Sequence, residues 1–293
     1  MKGAMSIGLL GFGEVGTALA DDLADRQDLA LRAWDIRFAD PASEPSRSLL
    51  ARPAIKPARS AAEFGRGCAL VISAVTAAED EAATRSVLPG LADGCRVLDL
   101  NSVAPSTRRR CAELVAAAGG RYVEAAVMSP IHPRGIASPV LLGGPEAADF
   151  LPLARSIGFS GASVCSAELG IASATKMCRS VIVKGMEALF AESMLAARYY
   201  GVENDVLDSL RDLLASRGLR ELAHYMIERS VEHGKRRAEE MREVAMTVRD
   251  SGVEPWMSLA CVQRQAWAAD FSSALGQPEL AATLDSIRSQ TSC

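Results

Sequence analysis

The chain has few of the residues from which metal sites, disulfide frameworks and nucleic-acid surfaces are built. It has only three histidines, His132, His224 and His233, and no two stand four apart as a helical metal site requires. Seven cysteines, at 68, 95, 111, 165, 178, 261 and 293, form no C-x-x-C pair and leave an odd count. Without a secretory context they are expected to be reduced thiols packed as small apolar groups. The net charge of −4 supplies no basic field for nucleic acid, and the run Arg108-Arg109-Arg110 reads as a solvated helix face. No apolar run is long enough to span a bilayer, and the chain enters its first strand without a secretory n-region and h-region. The expectation is a cytoplasmic protein without metal, membrane or nucleic-acid partner.

What is present suits two domains, since 293 residues can bury a substantial core. The first half alternates apolar runs with helical stretches, the signature of βαβ units and a doubly wound parallel sheet in an α/β fold. Strands are expected at 5–10, 29–34, 69–75, 96–100 and 121–125, with two more at 140–142 and 161–164. Helices are expected near 15–27, 79–88, 105–118 and 145–156, and residues 40–57, rich in Pro, Ser and Ala, read as an irregular connection. After about residue 166 strand signals vanish. Ile171, Ala174, Cys178, Val181, Ile182, Gly185, Ala188 and Leu189 follow a helical period that can run to Tyr200. Further helices are expected at 205–216, 219–232, 235–250, 257–275 and 278–286, separated by Gly and Pro. The organisation is therefore residues 1–165 as an α/β domain and 166–293 as an all-α domain.

The most informative stretch is Gly11-Phe12-Gly13-Glu14-Val15-Gly16, a G-x-G-x-x-G pattern between the first strand and its helix. Gly11 permits a tight turn, Gly13 lets backbone approach a pyrophosphate, and Gly16 lets helix and strand pack closely. The helix N-terminus faces the phosphates with unpaired amides. Asp35 closes the second strand 19 residues beyond Gly16, where a ribose-binding carboxylate belongs. It favours NAD over NADP, although Arg37 can pair with a 2′-phosphate. Ligands of open parallel sheets bind beyond the strand ends, so Ala74-Val75-Thr76 and Asn101-Ser102 are expected to line the nicotinamide ribose. Thr76 and Ser102 could equally cap helices.

The order of these features resembles the β-hydroxyacid dehydrogenase superfamily, which includes 3-hydroxyisobutyrate and 6-phosphogluconate dehydrogenases. The family's D-x-S-T-x-x-P element is similar to Asp99-Leu100-Asn101-Ser102-Val103-Ala104-Pro105, and its D-A-P-V-S-G-G loop to Glu124-Ala125-Ala126-Val127-Met128-Ser129-Pro130. Its G-x-x-x-x-x-K-x-x-x-N helix resembles Gly170 to Ser180, with Lys176 at the lysine position. The resemblance implies that Lys176 is the general acid or base for hydride transfer to or from a small to medium, anionic hydroxy acid or related alcohol in an interdomain cleft. Desolvation and a nearby cation, Arg179 or Lys184, would suit such a lysine to the task.

The departures matter as much. Pro130 removes an amide donor from the loop that binds a substrate carboxylate in the family, and Ser180 stands where the family has asparagine. Ser129, Arg179 and Ser180 are then the expected substrate contacts. Val183 replaces the glutamate of 6-phosphogluconate dehydrogenase, which disfavours its decarboxylation. The loop Ile131-His132-Pro133-Arg134-Gly135 adds a histidine and an arginine near the presumed cleft, or is an ordinary Pro-Gly loop. The run 233–241 either forms helical pairs, Arg236 with Glu239 or Glu240 and Arg237 with Glu240, or completes an anionic pocket through His233, Arg236 or Arg237 across a dimer interface. That run and 250–255 resemble the C-terminal DUF1932 domain of a less characterised branch of 6-phosphogluconate-dehydrogenase-like proteins. A homodimer is expected. Imine reduction on the same scaffold, or a non-catalytic NAD(P)-binding sensor, are the alternatives.

Overall fold

A computed structural model describes residues 4–291. Cys293 lies outside the described residues. The chain divides into two compact units between Val181 and Ile182.

The first unit starts with β1 (Met5–Leu10), α1 (Glu14–Leu23) and β2 (Leu29–Trp34). It continues through α2 (Glu44–Leu50), β3 (Lys56–Pro57), α3 (Ala61–Gly65), β4 (Leu70–Ser73), α4 (Asp80–Val87), β5 (Arg96–Asp99) and α5 (Pro105–Ala117). Then come β6 (Arg121–Val127), β7 (Val140–Gly143), α6 (Ala147–Ile157), β8 (Ala162–Ser166) and the start of α7 (Ile171–Tyr200). The eight strands lie in the order β3-β2-β1-β4-β5-β6-β7-β8, and every described pairing is parallel except β6 with β7.

Both faces of this sheet are covered, which explains why its strands are nearly all apolar. Ile7, Leu9, Leu70, Ile72 and Leu98 pack with Leu19 and Leu23 of α1 and with Phe150 and Ile157 of α6. Leu10, Val71 and Val97 point the other way, onto Phe64, Val87, Cys111 and Val115 of α3, α4 and α5. This alternation follows from the two-residue period of a strand.

Residues 40–57 are more ordered than their composition suggests. Ser43 caps α2 by accepting the Ser46 amide, with Pro45 in the first turn, where its missing N–H costs nothing. β3 is a two-residue edge strand on β2, where Pro57 is tolerated because its N–H side needs no partner.

The second unit holds the rest of α7, then α8 (Glu203–Ala215), α9 (Leu219–Asp250), α10 (Trp256–Ala268) and α11 (Leu280–Thr291). The two helices expected at 219–232 and 235–250 are one, and α9 runs unbroken through Gly234. The glycine serves packing instead: a methyl at Gly234 would lie 2.2 Å from the Gln265 carbonyl oxygen of α10. Glu192 of α7 is buried and accepts the Met257 and Ser258 amides at 2.7 and 2.9 Å, supplying the N-terminal cap that Pro255 cannot give α10. Arg236 pairs with Glu240, one of the expected helical pairs, while His233 lies 3.0 Å from Glu232. Among the described residues no helix is long and apolar enough to cross a membrane.

Candidate functional site

The parallel register of β1, β4, β5 and β6 brings their carboxyl ends to one edge of the sheet. The glycine loop follows β1, residues 74–76 follow β4, Asn101 and Ser102 follow β5, and Ser129 follows β6.

The three glycines divide their roles by space. Gly11 has φ +88°, and a methyl there would lie 2.4 Å from the Ala74 carbonyl oxygen. At Gly16 a methyl would lie 2.1 Å from the Gly11 carbonyl oxygen, so a side chain cannot enter. Gly13 faces open space within 4 Å and caps α1 without any side-chain hydrogen bond. A backbone surface bare of side chains, at a helix start with unpaired amides, fits a pyrophosphate. Glu14 is exposed and Val15 half-buried, while Phe12 is buried against Phe38.

Asp35 shapes the ribose end. Its carboxylate accepts the Phe12 amide at 2.8 Å and the Arg37 amide at 2.9 Å, which fixes it at the end of β2. Two carboxylate oxygens keep spare lone pairs for ribose hydroxyls after those bonds. Arg37 is exposed and its Nε lies 3.6 Å from Asp35. These residues fit a dinucleotide.

Thr76 and Ser102 are exposed. Neither caps a helix through its side chain: the turn after Thr76 has no side-chain cap, and Ala104 precedes α5. Asn101 differs, being 3% exposed with its amide spent on protein partners. Its Oδ1 accepts the Val75 amide at 2.6 Å, and its Nδ2 donates to Ser73 Oγ at 2.9 Å and to Asp80 at 2.7 Å.

Beneath this edge lies a buried polar network. Arg108, expected on a solvated face, is 1% exposed. It pairs with the Asp99 carboxylate at 2.6 Å and donates to the carbonyls of Asp99, Asn101 and Ala125. The reason is its register: Arg108, Cys111, Ala112 and Val115 form one buried stripe of α5. Only Arg109 and Arg110 are exposed. Tyr122 donates to Asp99 at 2.6 Å. Burial works against the charge of Arg108, but Asp99 and Tyr122 outweigh it and hold its pKa above the ordinary value. Asp80 is fully buried; desolvation and the charge of Asp99 push its carboxyl up to about 6. Ligand atoms of Asp80, Asp99 and Cys111 lie within 4.8 Å of one another. Arg108 already balances Asp99, and burial holds the Cys111 thiol up at about 12, so this donor set does not suit a cation.

Lys176 sits half-buried on α7. The start of that helix is clamped by Glu124, a fully buried carboxylate of β6 that accepts the Gly170 amide at 2.7 Å and the Ser173 amide at 2.6 Å. Arg108 Nε donates to Ser173 Oγ at 3.0 Å. Neither Glu124 nor Arg108 figured in the sequence expectations as an anchor. The signal for Glu124 is a charge inside a strand otherwise buried, and for Arg108 a charge on the buried stripe of α5; each demands a partner. Arg179 is exposed and Ser180 half-buried, one turn beyond Lys176. Ser129 is half-buried, and its hydroxyl donates to the Pro130 carbonyl at 3.0 Å.

The loop 131–135 lies at the other end of α1 from the glycines. Asp22, in the last turn, accepts the Ile136 amide at 2.6 Å, and exposed His132 lies near Asp21. His132 and Arg134 are thereby removed from the strand-end edge. The second unit has an apolar groove of about 360 Å³ walled by Leu189, Ala196, Val206, Met241 and Val248 together with Glu192.

A doubly wound sheet with a fitted glycine loop defines a Rossmann-type dinucleotide-binding protein followed by helices. The pattern of the NAD-binding domain of 6-phosphogluconate dehydrogenase matches residues 6–148, and a domain of unknown function, DUF1932, matches 197–268. The chain belongs to the 6-phosphogluconate-dehydrogenase-like family, its NAD-binding domain being followed by a DUF1932 domain. A conserved hypothetical protein from Sinorhizobium meliloti 1021 is 32% identical, with 99% of this chain and 97% of that one covered and a TM-score of 0.60. A conserved protein of unknown function, described as structurally similar to 3-hydroxyacid dehydrogenases, is 28% identical over 90% of this chain and 98% of its own, with a TM-score of 0.58. An imine reductase from Myxococcus stipitatus, solved with NADP+, shares the fold at 14% identity, with coverage of 97% and 99% and a TM-score of 0.70.

Proposed function

We propose that the protein is an NAD(P)-dependent oxidoreductase acting on a small to medium, anionic hydroxy acid or related alcohol, with Lys176 as general acid or base. The observation that carries this reading is the clamp on α7. Glu124 and Arg108 tie the first turn of the lysine-bearing helix to β5 and β6, the strands whose ends adjoin the cofactor edge. The bound nicotinamide supplies a hydride donor or acceptor. Lys176 holds a proton at Nζ, gives it to the substrate oxygen when a carbonyl is reduced, and takes it back when an alcohol is oxidised. Arg179 and Ser180, one turn further on, and Ser129, after β6, would orient the substrate. Thr76 and Ser102, both exposed, would face the nicotinamide ribose, and Asn101 accepts the Val75 amide beside them.

NAD is the preferred cofactor in this reading, because Asp35 is held facing the glycine loop and would repel a 2′-phosphate. Arg37, the residue that could welcome that phosphate, is drawn to Asp35 instead. The second unit exposes large apolar residues, with Trp256 at 74%, Ile182 at 64% and Tyr199 at 64%, which supports a homodimer. A cytoplasmic location suits a chain that works with a diffusible pyridine nucleotide and buries Cys68, Cys95 and Cys111 as thiols.

Imine reduction is the second reading. Pro130 has no amide to offer, and the Ser129 hydroxyl turns to a neighbouring carbonyl, so the loop is poorer in carboxylate donors than its family counterpart. One experiment separates the two: 3-hydroxy acids and alcohols with NAD+ and NADP+, against cyclic imines and ketone–amine mixtures with NADH and NADPH, for the native protein and Lys176→Ala. The first reading expects turnover of the hydroxy compounds and a loss of about 10²-fold or more in the variant. Turnover confined to imines, or a fully active Lys176→Ala, would refute it.

A further inference from the structure

Arg108 joins three elements with one side chain. Its Nε reaches Ser173 of α7, its Nη1 the carboxylate and carbonyl of Asp99 at the end of β5, and its Nη2 the carbonyls of Ala125 in β6 and of Asn101. Asn101 carries the path onward, because its Oδ1 accepts the Val75 amide at 2.6 Å. An unbroken run of hydrogen bonds thus leads from the segment after β4 to Ser173, three residues before Lys176. Its members are sealed from water, with Arg108, Asp99 and Ser173 each 1% exposed and Asn101 3%.

Stability alone does not explain this choice. Apolar residues in place of both Arg108 and Asp99 would continue the stripe of Cys111, Ala112 and Val115 without the desolvation cost of two buried charges. What an apolar residue could not do is fix the relative positions of three backbones at hydrogen-bond precision.

We infer that Arg108 is a positioning residue that sets where the Lys176-bearing helix begins relative to the cofactor-lining segment 74–76, so that the two sides of the proposed site are held as one body. This rests on the reading of Lys176 and of 74–76 as parts of an NAD(P) site.

The test cuts one link only. Ser173→Ala removes the acceptor for Arg108 Nε and leaves its sheet partners, and Ser173→Thr restores the hydroxyl. The chain has five lysines, so reductive methylation with 13C-formaldehyde gives a resolvable spectrum, in which Lys176 is assigned by its loss in Lys176→Arg. Saturating NADH or NADPH should shift the Lys176 signal of the native protein and of Ser173→Thr. In Ser173→Ala that shift should fall by about half or more, while the nucleotide dissociation constant stays within about threefold, since the glycine loop is untouched. An undiminished shift in Ser173→Ala overturns the inference and leaves the oxidoreductase reading standing. Failure of the native protein to bind either nucleotide, or binding without a Lys176 response, overturns the oxidoreductase reading. The link is then judged by hydrogen exchange in the nucleotide-free protein. There Ser173→Ala must speed exchange of amides 174–178 by about tenfold, the effect of one bond to a charged donor, and unchanged rates overturn it.

Discussion

Replacing Asp80 with asparagine is expected to stabilise the first unit at neutral pH and to change nothing in acid. The Asp80 carboxyl is fully buried, with the Asp99 carboxylate beside it, and its pKa rises from 3.8 to about 6. Arg108 compensates one of the two acids but not both. A folded-state pKa above the unfolded value means that folding takes up a proton between those two pH values. The resulting stabilisation is complete below pH 3.8 and lost as pH rises through about 6. Above pH 7 the native protein carries the whole penalty of a buried charge. At 1.36 kcal/mol per pKa unit, a rise of roughly two units gives a ceiling of about 3 kcal/mol.

The asparagine substitution keeps an oxygen to accept from Asn101 Nδ2 and adds an amide that can donate towards Asp99, as the protonated acid does. Thermal melts of native protein and Asp80→Asn at pH 4, 6 and 8 should therefore diverge as pH rises. The gain at pH 8 should be several degrees, since about 1 kcal/mol moves a domain of this size by about 2–4 °C. Parallel pH profiles would show that Asp80 does not titrate in this window. A variant less stable than native at pH 8 would mean that the carboxylate is satisfied where it lies, and would refute the charge accounting for the whole network.

The glycine loop offers a sharper contrast. Gly16→Ala should cost about 1–3 kcal/mol or more and abolish nucleotide binding, because its methyl meets the Gly11 carbonyl oxygen at 2.1 Å. Gly13→Ala should melt like the native protein yet bind NADH at least about tenfold more weakly in a fluorescence titration, because its methyl occupies only the space a pyrophosphate needs. Gly234→Ala tests packing against propensity. Helix propensity alone favours alanine by about 0.5–1 kcal/mol, but a methyl 2.2 Å from Gln265 should reverse the sign in a denaturant melt. Arg108→Met should cost about 3–5 kcal/mol by leaving Asp99 buried and unpaired, and adding Asp99→Asn should recover part of that loss, which a double-mutant cycle measures directly.

The residues that were legible in sequence are those whose signal is local. A strand such as Met5–Leu10, buried from Ile7 to Leu10, carries one polar residue in six, a glycine at φ +88° is a glycine for a backbone reason, and Asp35 is found by its distance along the chain from Gly16. Gly234 shows where local rules stop. Its meaning lies in Gln265, on another helix, so a signal that reads as a break in one dimension is a close contact in three. β3 escaped notice because an edge pairing of two residues has no periodicity to detect.

Arg108 and Glu124 make the same point from the opposite direction. Each looked ordinary by type, one in a run of three arginines and the other as the soft match to a family aspartate. Their positions told more than their identities. Arg108 shares a helical stripe with three buried residues, and Glu124 stands between Val123 and Ala125 in a strand with no solvent face. A charge in such a place must find its partner inside the protein. For Glu124 the partner is the amide end of α7, and for Arg108 it is Asp99 together with Ser173. Both obligations converge on the turn before Lys176. That convergence ties a helix to a sheet through charge rather than through apolar contact alone, and it ties them one turn before the residue on which the proposed chemistry depends.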